Sequence, residues 1–228
     1  MKIAVCSLSL GEEFRDVTKY AIQNKILYCE KHGYDFIEDP SVYDSNRPHA
    51  WSKILLVKKY LPNYDYVMWI DADTFIMNDE IKIEDKINTL MNDRDFMVGI
   101  DWQMMNSGVF FMKNTQGMID FLDEIYKQTH LVIPVGGNYE QTAIIELYEN
   151  NWNNIQDVSS VIKYPRQIEF NSYYYNYSHG HFILHFPGCR DLPGLRMMMD
   201  RYCPLRMSTD SDDDFARRLE WLKEIKND

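Results

Sequence analysis

Asp71 and Asp73, separated only by Ala72, follow the apolar run Tyr66-Val67-Met68-Trp69-Ile70. A short run of β-branched and aromatic residues predicts a buried strand, and it places both carboxylates at the strand's carboxyl end. In an open α/β sheet, ligands bind outside that end. Two acids held there with no Lys or Arg beside them in sequence are costly unless a cation joins them. Hard oxygen ligands suit Mg(II) or Mn(II), which completes its shell with water and phosphate oxygens. The plainer alternative is a solvated strand-end turn, a setting that Asp favours anyway.

Three further stretches carry groups able to serve such a centre. Asn106-Ser107-Gly108 precedes the apolar run Val109 to Met112 and predicts a turn rich in donors and acceptors, suited to sugar hydroxyls or to an ordinary Asx turn. Glu140 and Gln141 open a helix, where acids and amides also serve the helix dipole. His185-Phe186-Pro187-Gly188-Cys189-Arg190 puts an imidazole at the end of an apolar strand and a guanidinium just beyond a Gly turn, a second metal ligand type beside a partner for a diphosphate. Arg47 and Lys53 flank the start of another helix, where a long cation steers a phosphate or is simply solvated.

The elements that must position these groups read as one α/β domain. Met1 to Leu8 predicts a first strand, Glu12 to Lys31 a helix closed by Gly33, and Tyr34 to Ile37 a second strand, giving a β-α-β unit. Helices are expected over Ala50 to Tyr60, Ile83 to Asn92, Thr115 to Thr129 and Tyr139 to about Asn150. Strands are expected over Asp95 to Asp101, Asn154 to Tyr164 and His181 to Phe186. With 228 residues, 45% of them hydrophobic, the chain buries a full core without a second domain. A net charge of −11 argues against nonspecific nucleic-acid binding, which depends on Lys and Arg meeting phosphates. There is neither a G-x-G-x-x-G after the first strand nor a Walker lysine. Cys6, Cys29, Cys189 and Cys203 form no C-x-x-C pair and read as reduced thiols. No stretch approaches the roughly 20 apolar residues of a membrane span. The Asn176-Tyr177-Ser178 sequon is read as chance.

In order and spacing, Trp69 to Asp73, Gln103 to Asn114, Glu140-Gln141 and His185 to Arg190 resemble the fungal α-galactosyl and α-mannosyltransferases and the plant xyloglucan α-xylosyltransferases. Asn24-Lys25, His32 to Tyr34, Arg47 and Trp51 to Lys53 match that pattern too, so the similarity covers about residues 1 to 190. The resemblance implies a single Rossmann-like GT-A domain with a mainly parallel sheet, expected over residues 1–205. The segment 206–228 is expected to be acidic and then an amphipathic helix packed on the same domain. It also implies a UDP-sugar donor, Mn(II) with Mg(II) as the alternative, and retention of anomeric configuration. By the same token, Asp71, Asp73 and His185 hold the metal, and Asn106, Ser107 and Gly108 hold the donor sugar. Cys6, Ser7 and Leu8 receive the base, with Lys53, Ala72 and Gly188 completing the donor site. Glu140 and Gln141 lie near the anomeric carbon, and Arg190, standing where the family usually has Lys, faces the leaving diphosphate.

An amide at Gln141 is a poor nucleophile, so front-face attack is expected rather than the double displacement that pairs two carboxyls. The expected acceptor is a glycan hydroxyl, and the expected assembly a monomer or weak homodimer. With no signal peptide or anchor, the expected location is cytoplasmic, as for a bacterial or virus-encoded enzyme. Two alternatives use the same stretch: a haloacid-dehalogenase-type phosphatase with Asp71 as phosphoryl acceptor, and a nucleotide-sugar-binding domain without transfer activity.

Overall fold

The first apolar run forms β1 (Ile3–Cys6), buried along its whole length. In the computed structural model, which describes residues 1–132, 139–189 and 191–204, it is followed by β2 (Asp35–Ile37), β3 (Tyr66–Ile70), β4 (Thr74–Ile76), β5 (Phe96–Ile100), β6 (Met105–Lys113), β7 (Ser159–Lys163), β8 (Ser172–Tyr173) and β9 (Ile183–His185). The main sheet has the order β2-β1-β3-β6-β5-β7. Its pairs are parallel except for those made by β6, which runs antiparallel to both β3 and β5. The expected mainly parallel sheet is therefore present, with one reversed strand.

Helices α1 (Glu12–His32), α2 (Ser52–Tyr60), α3 (Ile83–Lys86), α4 (Gln116–Lys127), α5 (Tyr139–Glu149) and α6 (Leu192–Tyr202) surround the sheets. Strand side chains alternate between faces, and that alternation sorts the main sheet into two cores. Ala4, Cys6, Val67, Trp69, Phe110 and Met112 pack with α2, α4 and α5. Ile3, Val5, Met68, Ile70, Val109 and Phe111 pack with α1 and α3. Gly33 closes α1 in the left-handed region, φ 74°, where a residue without Cβ carries no penalty. None of the helices among the described residues is long and apolar enough to cross a membrane.

Three sequence expectations change. Asn154 to Tyr164 is not all strand: Asn151, Asn153 and Asn154 adopt φ of 49°, 45° and 59°, a conformation Asn tolerates, and extended pairing begins only at Ser159. Ile83 to Asn92 leaves α geometry after Lys86 and continues as a π-turn ending at left-handed Asn92. A second, three-stranded sheet, β4-β9-β8, appears beside the main one. Its strands have two or three residues each, too few for a periodicity to declare them. Helix α6 was also unforeseen; Asp191 caps it by accepting from Gly194 N at 3.0 Å, and Leu195 and Met199 pack against Val17 and Ala21 of α1. The expected tail at 206–228 lies outside the described residues.

Candidate active site

The chain leaves β3 at Ile70 and turns through Asp71-Ala72-Asp73 into β4. Asp71 N donates to Gly108 O at 2.7 Å and Thr74 Oγ1 to Asp71 O at 2.7 Å, which fixes the turn against β6. From beneath, fully buried Lys25 of α1 donates to Thr74 O at 2.7 Å and Ala72 O at 3.3 Å. Burial pulls its ammonium down to about 7, against the pull of Asp73 and Asp71. Asp73 is displaced the other way: burial, and then the Asp71 charge, push its carboxyl up to about 7.

His185 arrives through the small sheet, where Thr74 pairs with His185 across β4 and β9 and Phe186 N donates to Asp73 O at 3.1 Å. Its Nε2 stands 3.6 Å from Asp73 Oδ1. Burial lowers the imidazole to about 4, so it is neutral at pH 7. One ligand atom from each of Asp71, Asp73 and His185 lies within 4.8 Å of the other two. Two carboxylate oxygens, one on a group whose charge the site disfavours, together with a neutral imidazole, make a donor set that fits Mn(II). Below pH 7 a proton competes for Asp73, and His185 stays neutral throughout that range. Manganese affinity is therefore expected to rise about tenfold per pH unit up to about pH 7 and to level off above it. Calorimetric titration between pH 5.5 and 8 checks this; a flat profile overturns the raised Asp73 carboxyl as the competing proton site.

Asp71 is not left without a cation, as its sequence neighbours suggested. Lys53 of α2, almost fully buried, reaches Asp71 Oδ1 at 3.0 Å, Glu140 Oε1 at 2.8 Å and Ser107 O at 3.2 Å. Burial alone lowers an ammonium, but the two carboxylates outweigh it and hold Lys53 above its ordinary value. These three acceptors account for the three N–H groups of its ammonium, so in this structure Lys53 braces Asp71 and Glu140 against β6. Arg47 is held against Tyr126, with its guanidinium 3.7 Å from the ring centroid and one N–H donated to Tyr126 O at 2.7 Å.

Asn106, Ser107 and Gly108 lie inside β6 rather than in a turn before it. Ser107 N donates to Gln141 Oε1 at 2.9 Å, and Ser107 Oγ to Glu140 Oε1 at 3.0 Å, so α5 is tied to β6 through the two residues expected at the anomeric carbon. Burial raises Glu140 despite its pairing with Lys53, and its Oε2 is buried with no hydrogen-bond partner. Trp69 Nε1 adds a 2.6 Å bond to Asp71 Oδ1.

These groups lie where two cavities meet. One, of about 780 Å³, is mostly apolar, with Leu8, Leu10, Phe14 and His49 along it; the other, of about 530 Å³, is lined by Asn106, Ser107, Gly108, Gln141, His185 and Tyr173 among others. Asp71, Asp73 and Lys53 line both. Ala72 borders the larger cavity and Gly188 the smaller. Of the three residues expected at the base, only Leu8 lines the cleft. Cys6 is fully buried in the sheet, and Ser7 is buried with its N–H donated to Ile37 O at 3.1 Å. Arg190 lies outside the described residues. Sequence reasoning missed Asn171, which contacts His185 (Nδ1 to Oδ1, 3.2 Å), and Trp102, exposed at the rim of the smaller cavity. Neither sits in a local pattern that sets it apart.

The sequence profile of the galactosyl transferase GMA12/MNN10 family matches residues 6–94 and 88–194. A probable xyloglucan 6-xylosyltransferase 1 of Oryza sativa subsp. indica is 29% identical over 112 residues, 45% of this chain and 25% of that protein. An uncharacterized alpha-1,2-galactosyltransferase of Schizosaccharomyces pombe is 25% identical over 229 residues, covering 76% of this chain and 64% of the yeast protein. The chain thus spans about a quarter of the rice relative and under two thirds of the yeast one. Among solved structures, a glycosyltransferase involved in glycosylation of the major capsid of PBCV-1 superposes with a TM-score of 0.70 at 16% identity, over 88% of this chain and all of that one. The galactosyltransferase LgtC, solved with donor and acceptor sugar analogs, gives 0.56 at 12% identity, over 93% and 98% of the two chains. The fold is GT-A.

Proposed function

We infer, because the chain belongs to the galactosyl transferase GMA12/MNN10 family, that it is a retaining glycosyltransferase moving a hexose or pentose from a UDP-sugar to a glycan hydroxyl with Mn(II). The sugar transferred is glucose, galactose or xylose. The observation that carries this is the convergence of Asp71, Asp73 and His185 where an apolar cavity meets a polar one. A base and ribose suit the first and a sugar the second, with the diphosphate across the junction.

A divalent ion bound by Asp71, Asp73 and His185 supplies positive charge against a diphosphate. The chain's own residues do the rest. Lys53 and Trp69 hold Asp71 in one orientation, and Lys25 fixes the backbone on either side of Asp73. Ser107 and Asn106 present polar groups to the smaller cavity, and Gly108 leaves room for the His185 ring. Of the carboxylates lining that cavity among the described residues, Asp71 and Asp73 belong to the metal set, Asp101 accepts from Gln103 N, Met104 N and Tyr173 OH, and Glu140 is paired with Lys53 and Ser107 through Oε1 while its Oε2 has no partner. The amide at Gln141 is what favours front-face attack, in which the leaving phosphate takes the acceptor's proton, over a carboxylate nucleophile. Gln141 holds Ser107 through its amide oxygen, and its contribution is electrostatic.

Trp102 is 68% exposed and Tyr175 55% on the rim of the smaller cavity, which supports a glycan acceptor, since a sugar's C–H face packs on an aromatic ring. Covering about 50 Å² of ring at about 25 cal/mol/Å² corresponds to ~1.3 kcal/mol. Trp102→Ala is therefore expected to raise the acceptor KM roughly tenfold while donor hydrolysis is unchanged; an equal loss of both reactions removes Trp102 from the acceptor site.

The test of the function is nucleotide release from a panel of UDP- and GDP-sugars, with and without manganese, for the native protein and Asp73→Ala. Manganese-dependent turnover of one donor, lost in the variant, is the expected result. Donor binding without turnover in any acceptor screen would point to a binding domain instead, and magnesium-dependent hydrolysis of a phosphomonoester through Asp71 to the phosphatase.

A further inference from the structure

We infer that Asn171 is a positioning residue which, oriented by Asn106, fixes His185 in the tautomer that can ligate a metal. The consequence for manganese rests on the metal reading above; the tautomer does not.

The assignment follows from a chain of hydrogen bonds in which only the first donor is fixed in advance. Gly108 N lies 3.0 Å from one terminal atom of the Asn106 amide. A backbone N–H only donates, so that atom is the oxygen, Oδ1. Asn171, fully buried, places one terminal atom 3.2 Å from the same oxygen, and a carbonyl oxygen facing it would repel. That atom is therefore Nδ2, and Asn171 Oδ1 points the other way, to His185 Nδ1 at 3.2 Å. An amide oxygen only accepts, so Nδ1 carries the proton. A neutral imidazole has a single N–H, which leaves Nε2 with a bare lone pair directed at the Asp73 side, 3.6 Å from Oδ1.

In the opposite tautomer Nε2–H would face Asp73 Oδ1, favourable in sign but at 3.6 Å too far for a hydrogen bond, while Nδ1 would set its lone pair against the Asn171 oxygen. The buried amide disfavours that arrangement. With Nδ1–H, two electron-rich atoms, Nε2 and Asp73 Oδ1, face one another, an arrangement that a cation between them relieves. Asn171 itself is held by its backbone oxygen, which accepts from Gln167 Nε2. Asn106 thus serves both regions. Its oxygen is committed to Gly108 and Asn171, and what it can offer a ligand in the smaller cavity is its Nδ2.

Histidine-selective ¹⁵N labelling of the metal-free chain shows which ring nitrogen of His185 carries the proton, the signal being assigned by its loss in His185→Gln. The expected wild-type result is Nδ1–H. Asn171→Asp keeps an accepting oxygen and is expected to keep Nδ1–H. Asn171→Leu removes it and is expected to turn His185 to Nε2–H and to weaken Mn(II) binding, read by paramagnetic resonance of the free ion, 10- to 100-fold. Should Asn171→Leu not fold, Asn106→Ala leaves Asn171 in place but free to flip, and both tautomers are expected. Nε2–H in the wild type, or Nδ1–H surviving in Asn171→Leu, overturns the inference, as does an Asn171→Asp that behaves like the Leu variant. These spectra need neither donor nor metal, so they stand whatever the transferase assay gives. Nδ1–H in a wild type that binds no Mn(II) overturns the metal reading of the cluster instead.

Discussion

In Gly108→Ala, manganese affinity and sugar transfer are expected to fall together by about 100-fold or more, although no ligand, charge or hydrogen-bonding group has been removed. A Cβ at this position would stand 2.2 Å from His185 Cε1, 2.9 Å from His185 Nε2 and 3.0 Å from Asn106 Oδ1. Its backbone is tied at both polar groups, because Gly108 O accepts from Asp71 N at 2.7 Å and Gly108 N donates to Asn106 Oδ1 at 3.0 Å. The ring must therefore move, and it is held on its far side by Asn171 and by the edge of Tyr173. A hundredfold loss corresponds to about 2.7 kcal/mol, in the range that overpacking a close-fitted site costs. Manganese titration beside single-donor turnover measures both effects, and an alanine variant that binds the ion like wild type would falsify His185 as a ligand in this position. Glycine is needed here for close approach and not for backbone conformation, since Gly108 is not among the positive-φ residues.

How much of this was legible beforehand follows from what a local pattern can report. The β1-α1-β2 unit, β3 and the acids at its end were all readable, because burial of a strand or one helix face imprints a period on ten or so consecutive residues. The pairing of β4 with β9 was not, because it joins residues more than 100 positions apart through three-residue strands. Yet that pairing is what brings His185 to Asp73; the sequence offered a strand-end histidine with nothing to say which strand it would meet. The same applies to the Lys53 pairs. Asp71 is 18 positions from Lys53 and Glu140 is 87, and an ion pair made by the fold leaves no mark at either end. Asn106 to Gly108 was read in part: the Asx bond from Gly108 N to Asn106 Oδ1 forms, but inside β6, which begins at Met105, and Asn171 and Gln141 add long-range partners that no local pattern reports. For Cys6 and Ser7, expected to meet the base chiefly through backbone groups, the side chains are buried and the Ser7 N–H is given to Ile37 O, a pairing across β1 and β2 that the sequence does not declare.

Lys53→Met is expected to have the largest effect on stability, and the direction of its repair identifies the cause. The ammonium is the shared partner of Asp71 and Glu140, and removing it leaves two carboxylates near one another, Glu140 fully enclosed and already holding an unpartnered oxygen. Breaking a buried pair from one side costs about 3–5 kcal/mol, because the remaining charge is neither solvated nor compensated. For a chain of this size that is roughly 10 °C in Tm. Adding Glu140→Gln to Lys53→Met removes one of the stranded charges and is expected to recover more than half of the loss, although Glu140→Gln alone destabilises the native pair. A double-mutant cycle from thermal or denaturant unfolding measures this coupling. If Lys53 instead served mainly to meet a phosphate, Lys53→Met would keep its Tm, lose donor affinity, and gain nothing from the second substitution. Recovery at the double variant in one case and none in the other separate a bracing lysine from a phosphate-binding lysine without any knowledge of the donor sugar.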